Sequence, residues 1–172
     1  VNVYNWEDYI DEAVCDEFEA YMAEKGQTVR VEYSTFGTNE DMYNQLQLGD
    51  TYDLLCPSEY MIMKLAAEDY LQPYTEDFFD PDIEENYYIR NVSPYIREMF
   101  ESNRINRKDE NDSSTWSDYA AGYMWGVTGF VYNPEFVNED ELAELGWDAM
   151  RAPQYRNRVT TKDNVRDSYF VA

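Results

Sequence analysis

The chain has 172 residues, 44% of them hydrophobic, which suits one domain with an ordinary core. Its 36 acidic against 13 basic residues give a net charge of −23, a field that makes nucleic acid a poor partner and attracts cations. It contains no histidine, which removes Ser/His and Cys/His catalysis and imidazole metal sites together.

With 17 Tyr and 4 Trp the aromatic content exceeds what a core of this size needs, and amphipathic rings are most useful where apolar surface meets water or a ligand. Cys15 and Cys56 are too far apart for a metal knuckle or a redox Cys-x-x-Cys pair. Each lies in an amphipathic or apolar run, so buried free thiols are expected. No stretch is apolar and long enough to span a membrane, and no signal peptide is visible.

The first 70 residues alternate strand and helix signals. Val1–Tyr4 is a short β-prone run leading into Asn5-Trp6-Glu7-Asp8-Tyr9. Asp11 is a candidate N-cap for a helix whose Val14, Phe18, Tyr21 and Met22 share one apolar face and which closes at Lys25-Gly26. Val29, Val31 and Tyr33 alternate with polar residues as in a half-buried strand. Asn39 is a candidate cap for a second helix carrying Met42, Leu46 and Leu48 and ending at Gly49. Tyr52–Cys56 is a compact strand stopped by Pro57, and Ser58 caps a third helix that turns some of Met61, Met63, Leu65 and Ala66 inward. The order β-α-β-α-β-α implies a parallel sheet with helices on its faces and ligands at the carboxyl ends of its strands.

Beyond this, Thr75–Glu85 is acidic and broken by proline, Tyr87–Phe100 is weakly helical, and 103–112 reads as a polar surface loop. Tyr119–Tyr132 is a long β-prone run in which Gly126 and Gly129 suggest a bend or a close backbone approach. A short helix is expected over Asp140–Leu145 and a strand over Val159-Thr160-Thr161. Asp163-Asn164 is placed to cap a last helix from about Val165.

Two turns, Trp6-Glu7-Asp8-Tyr9 and Pro57-Ser58-Glu59-Tyr60, follow the first and third strands and so fall on one edge of a parallel sheet. Ring faces with nearby carboxylates are what an alkyl polyammonium ion needs. The rings cover its methylene stem and attract the ammonium at roughly 0.5–2 kcal/mol each, and a carboxylate accepts a charge-assisted hydrogen bond. The competing reading has the same rings packing against helices and the acids solvated. Asp53, Asp77, Asp80 and Asp82 have no element to fix their separation, which argues against a glycosidase pair. The Asp77–Glu85 stretch lacks calcium-loop spacing, and no glycine-rich nucleotide motif accompanies any of these features.

Four segments in order, Val3–Ile10, Tyr52–Tyr60, Tyr123–Gly129 and Asp163–Asp167, resemble the substrate-binding proteins of spermidine/putrescine ABC transporters. Ser34-Thr35-Phe36, Asn39-Glu40, Leu71-Gln72-Pro73, Trp147 and Pro153-Gln154-Tyr155 support the match. The resemblance implies an α/β, type 2 periplasmic-binding-protein-like fold: a parallel-rich sheet with helices on both faces, in two lobes that close on a ligand. Members are roughly twice this length, which implies an N-terminal piece. Residues 1–130 would form most of lobe one, and 131–172 the first hinge crossing, near Val131–Asn133, and the start of lobe two.

Carried over residue by residue, the ligand contacts fall on Trp6, Asp8, Tyr9, Ser58, Tyr60, Asn164 and Asp167. Asn164 places a neutral amide where the best-known members have an acid, and Gly122 stands where proline is common. The implied protein is a non-catalytic, cofactor-free monomer, periplasmic or on the outer face of the cell membrane with or without a lipid anchor. It would deliver a polyamine to a membrane permease. A type 2 binding protein for another cationic or small solute, or a chemosensory ectodomain of the same fold, is the alternative.

Overall fold

The computed structural model describes residues 1–105, 111–161 and 167–169. Its opening third follows the expected alternation: β1 (Asn2–Trp6), α1 (Ala13–Glu24), β2 (Glu32–Phe36), α2 (Asn39–Leu48), β3 (Leu54–Leu55) and α3 (Glu59–Ala67). The strands form one parallel sheet in the order β2-β1-β3, with Tyr4 opposite both Ser34 and Leu55. Two flanking bonds lengthen the short β3 ladder, Asp53 N–H to the Asn2 carbonyl at 2.9 Å and Cys56 N–H to the Tyr4 carbonyl at 3.0 Å.

That strand order decides where a site can form. From β1 the chain moves one way to β2, then crosses back over β1 to β3. Right-handed crossovers in opposite directions place their helices on opposite faces of the sheet. The turns leaving β1 and β3 therefore lead to opposite faces, the kind of switch point at which open parallel sheets bind ligands.

Hydrophobic burial concentrates where α2 and α3 meet the strands. Tyr4, Phe36, Met42, Met61 and Leu65 form the main core cluster, with Met42 and Leu65 fully buried. Tyr4 stacks on Tyr52 with centroids 4.5 Å apart and meets Phe36 edge-on at 5.0 Å. Of the inward candidates on α3, Met61, Leu65 and Ala66 are buried and Met63 only half so. On α2, Met42 is buried while Leu48 lies exposed at the last turn. Gly49 follows in the left-handed region at φ 104°, as a helix stop there requires.

Several expectations are corrected. Helix α1 buries none of its residues, and Val14, Phe18 and Tyr21 remain exposed on the predicted apolar face. Acidic residues interrupt that face, and polar links hold the helix instead: Glu19 accepts from Val31 N–H at 2.7 Å and Lys25 bonds Glu85 at 2.6 Å. The helix begins one residue after Glu12, while Asp11 still accepts from Ala13 N–H at 3.0 Å. Thr38, not Asn39, caps α2 through the Asp41 N–H. Cys15 and Cys56 are free thiols, but each is half-buried.

The middle of the chain adds a 3₁₀ turn at Glu76–Phe79, then α4 (Tyr87–Asn91) and α5 (Pro94–Ser102). Ile96, Phe100 and Ala120 form a second core cluster, with Trp116 edge-on to Phe100 at 5.7 Å. Gly122 lies so close to α5 that a Cβ would sit 2.6 Å from the Ile96 methyl, and its N–H donates to the Tyr88 hydroxyl at 2.9 Å.

The backbone divides into two compact units, Val1–Trp125 and Gly126–Ala172. The second contains α6 (Glu139–Leu145), capped by Asn138 through the Glu141 N–H at 3.0 Å, and two 3₁₀ turns, Gly146–Arg151 and Pro153–Tyr155. Within it Phe130 packs against Trp147 at 4.7 Å.

The β-prone runs 119–132 and 159–161 form no strand: among the described residues no ladder partner pairs with them, and propensity alone does not make a strand. Val127 and Val131 are accordingly exposed, and Gly126 and Gly129 have open space where a Cβ would stand. The expected cap at Asp163-Asn164, and residues 106–110 of the polar loop, lie outside the described residues.

Gly122→Ala is expected to destabilise the protein by about 1–3 kcal/mol, since the β-branched Ile96 has little rotamer freedom to yield. Urea unfolding of the two proteins measures this, and an unchanged midpoint would refute the packing account.

Candidate site at the carboxyl edge of the sheet

Trp6 ends β1 and pairs in register with Phe36, the last residue of β2. Its half-buried ring lies 4.7 Å from Phe36 and 6.2 Å from Tyr9, so it joins the core on one side and the β1–α1 turn on the other. That turn is made by Asp8 at φ 59°, a left-handed conformation that Asp tolerates better than most residues. Asp8 is exposed, as is Tyr9. The turn is tied down from a distance: the Tyr123 hydroxyl donates to the Tyr9 carbonyl at 2.5 Å.

The β3–α3 turn is fixed by a buried amide. Asn39, 2% exposed, accepts from Ser58 N–H at 3.0 Å and donates to Ser58 Oγ at 3.1 Å and to the Tyr60 hydroxyl at 3.0 Å. Tyr60 in turn donates to Glu40 at 2.9 Å. Ser58 occupies the N-cap position of α3 without making a side-chain cap bond. Trp6 and Tyr60 both pack against the main core cluster. The edge therefore carries aromatic rings, hydroxyls and the carboxylates of Asp8 and Glu40, the mixture that suits a cationic alkyl chain.

Behind the edge, burial pushes the Cys56 thiol up to about 11. Desolvation first, then Cys56 and Tyr9, also raise the Tyr123 hydroxyl. Asp53 is not part of the edge: it accepts from Asn2 N–H at 2.7 Å at the opposite end of the strands. A shallow recess of about 510 Å³ also opens at that opposite end, beside Asn2, Glu32 and Asp50. Among the described residues no group of three or more Cys, Asp and Glu is placed to hold a metal ion.

Of the residues singled out in the sequence, Trp6, Asp8, Tyr9, Ser58 and Tyr60 come together on one sheet edge within the first unit. Asp167 lies in a helical turn of the second unit, half-buried, and Asn164 lies outside the described residues. Sequence reasoning missed Asn39 as a bridge and Tyr123 as a clamp. A polar residue at a position already capped by Thr38 was the available signal for the first. Nothing local signals the second, whose partner is 114 residues away.

A family model for bacterial extracellular solute-binding proteins matches residues 5–164. Over 172 residues the chain is 26% identical to a spermidine/putrescine-binding periplasmic protein of Salmonella typhimurium, covering 98% of this chain and 42% of that one. It is 27% identical over 158 residues to a putrescine-binding periplasmic protein of Escherichia coli K12, covering 90% and 37%. A crystal structure of a spermidine/putrescine ABC transporter substrate-binding protein from Streptococcus pneumoniae superposes with a TM-score of 0.61 at 32% identity, over 90% of this chain and 40% of that one. The chain thus spans about two fifths of the length of these relatives.

At pH 8, alkylation of Cys56 by iodoacetamide is expected to run about a hundredfold slower than that of an ordinary exposed thiol, because so little thiolate is present. A folded-state value above the unfolded one means that burial of the neutral thiol favours folding below about pH 9 and ceases to do so as pH rises through about 11. Mass-spectrometric rates at Cys56 check this, and a rate equal to that of the urea-unfolded chain would contradict it.

Proposed function

The chain belongs to the bacterial extracellular solute-binding protein family, and we propose that it forms one wall of a polyamine-binding cleft in a solute-binding protein of an ABC importer. The observation that supports this reading is the adjacency of β1 and β3, which puts the turn carrying Trp6, Asp8 and Tyr9 and the turn carrying Ser58 and Tyr60 on one edge of the sheet. The exposed Tyr9 ring and the free side of Trp6 flank the methylene stem of the ligand. Asp8 takes one ammonium group, and the hydroxyls of Ser58 and Tyr60 accept from the same ligand. The net charge of −23 draws the cation in.

In this reading residues 1–130 make up most of lobe one. The chain crosses a hinge near Val131–Asn133, and 131–172 begins lobe two, whose ligand-binding residues are Asn164 and Asp167. An amide at Asn164 removes one charge-assisted bond and weakens one ammonium subsite relative to an acid. The names of the similar proteins support spermidine or putrescine as the ligand. The protein is non-catalytic and monomeric, works in the periplasm or on the outer face of the cell membrane, with or without a lipid anchor, and hands its cargo to a membrane permease.

Calorimetric titration of the complete gene product with putrescine, spermidine, amino acids and ferric ion tests the reading. Micromolar or tighter binding confined to polyamines is the expected result, and silence toward every amine would overturn it. Trp6→Ala should weaken that binding at least about tenfold while the protein keeps its fold by circular dichroism. Loss of the fold would assign Trp6 to the core alone.

A further inference from the structure

We infer that Asn39 is a positioning residue for the binding edge, holding Ser58 and Tyr60 in the geometry that receives the ligand. This role rests on the polyamine reading only for the identity of the ligand. The bonds themselves stand on geometry. Thr38 already satisfies the start of α2 by accepting from Asp41 N–H at 3.1 Å, so the Asn39 side chain is not needed there. It reaches instead to the start of α3, where its oxygen accepts from Ser58 N–H at 3.0 Å and its amide donates to Ser58 Oγ at 3.1 Å and Tyr60 OH at 3.0 Å.

Three features separate positioning from plain packing. Asn39 is 2% exposed, and a buried amide is costly unless its partners are in place. An apolar residue there would join α2 to α3 without that cost. Next, Ser58 makes no cap bond to its own helix, so the hydroxyl that would turn back to the α3 backbone is held toward α2. Finally, Tyr60 is gripped by consecutive α2 residues, receiving a proton from Asn39 and giving one to Glu40 at 2.9 Å. A hydroxyl and a ring fixed beforehand need not be ordered when the cation arrives, which is where preorganised sites gain affinity.

The test compares the complete gene product with its Asn39→Asp and Asn39→Ala variants. Asn39→Asp keeps the size and the acceptor facing Ser58 N–H but turns both other bonds around, so that the Ser58 and Tyr60 hydroxyls must donate to the new carboxylate and Tyr60 must give up its bond to Glu40, and it remains informative if Asn39→Ala fails to fold. Spermidine and putrescine affinities are measured by calorimetry, and exchange of the Ser58 amide by NMR. Asn39→Asp should weaken polyamine binding roughly ten- to a hundredfold while Ser58 stays protected, whereas Asn39→Ala should also speed Ser58 exchange.

Added to a Ser58→Ala/Tyr60→Phe background, Asn39→Asp should cost little more, because its effect passes through those two side chains. Wild-type affinity in both variants, or an undiminished loss in that background, would overturn the inference. Should the unaltered protein bind no polyamine, the ligand reading falls, and unchanged Ser58 exchange in Asn39→Ala would then refute the positioning role by itself.

Discussion

A strand with parallel partners on both sides forces the chain to leave the sheet in two directions. β1 is such a strand, paired with β2 over its whole length and with β3 at Val3 and Tyr4. Everything proposed for this molecule depends on that constraint. The reversal of winding sends the crossovers through α1 and α2 to opposite faces and makes the edge between the turns that follow β1 and β3 a switch point. Short strands suffice, because the flanking bonds of Asp53 and Cys56 and the packing of Tyr4 between Tyr52 and Phe36 hold the register.

The edge is rigid on one side and lightly tethered on the other. On the β3 side the buried Asn39 amide binds two neighbouring half-buried side chains, a network costly to disturb. On the β1 side the Asp8 turn is exposed and is held by the Trp6–Phe36 contact and one bond from Tyr123. The acidic surface adds attraction for cations more than stability. The ion pairs Lys25–Glu85, Lys64–Glu68 and Arg97–Glu101 are largely exposed, and such pairs contribute little. A net charge of −23 also works against compaction. In the proposed function a polycation bound beside Asp8 and Glu40 would offset part of that repulsion.

Local patterns made the sheet and its edge legible. Alternation at Val29–Tyr33, the stop at Gly49 and the Pro57-Ser58 break located β2, α2 and the start of α3 to within a few residues, because turn chemistry and side-chain periodicity act locally. The same reasoning overreached where local propensity was not met by a partner. Tyr119–Tyr132 is rich in β-formers yet joins no strand ladder among the described residues, and the apolar face of α1 stays exposed. Asn39 and Tyr123 were hidden for another reason. Their roles depend on which atoms meet across 19 to 114 residues of chain, which no spacing rule encodes.

The central claim, that a polyamine sits at the switch point between β1 and β3, is met most directly by a crystal structure of the complete gene product grown with spermidine. The account predicts the methylene stem against the faces of Trp6 and Tyr9, with an ammonium group within hydrogen-bonding distance of Asp8 and close to Ser58 and Tyr60. Spermidine bound elsewhere, with this edge occupied by solvent alone, would contradict it.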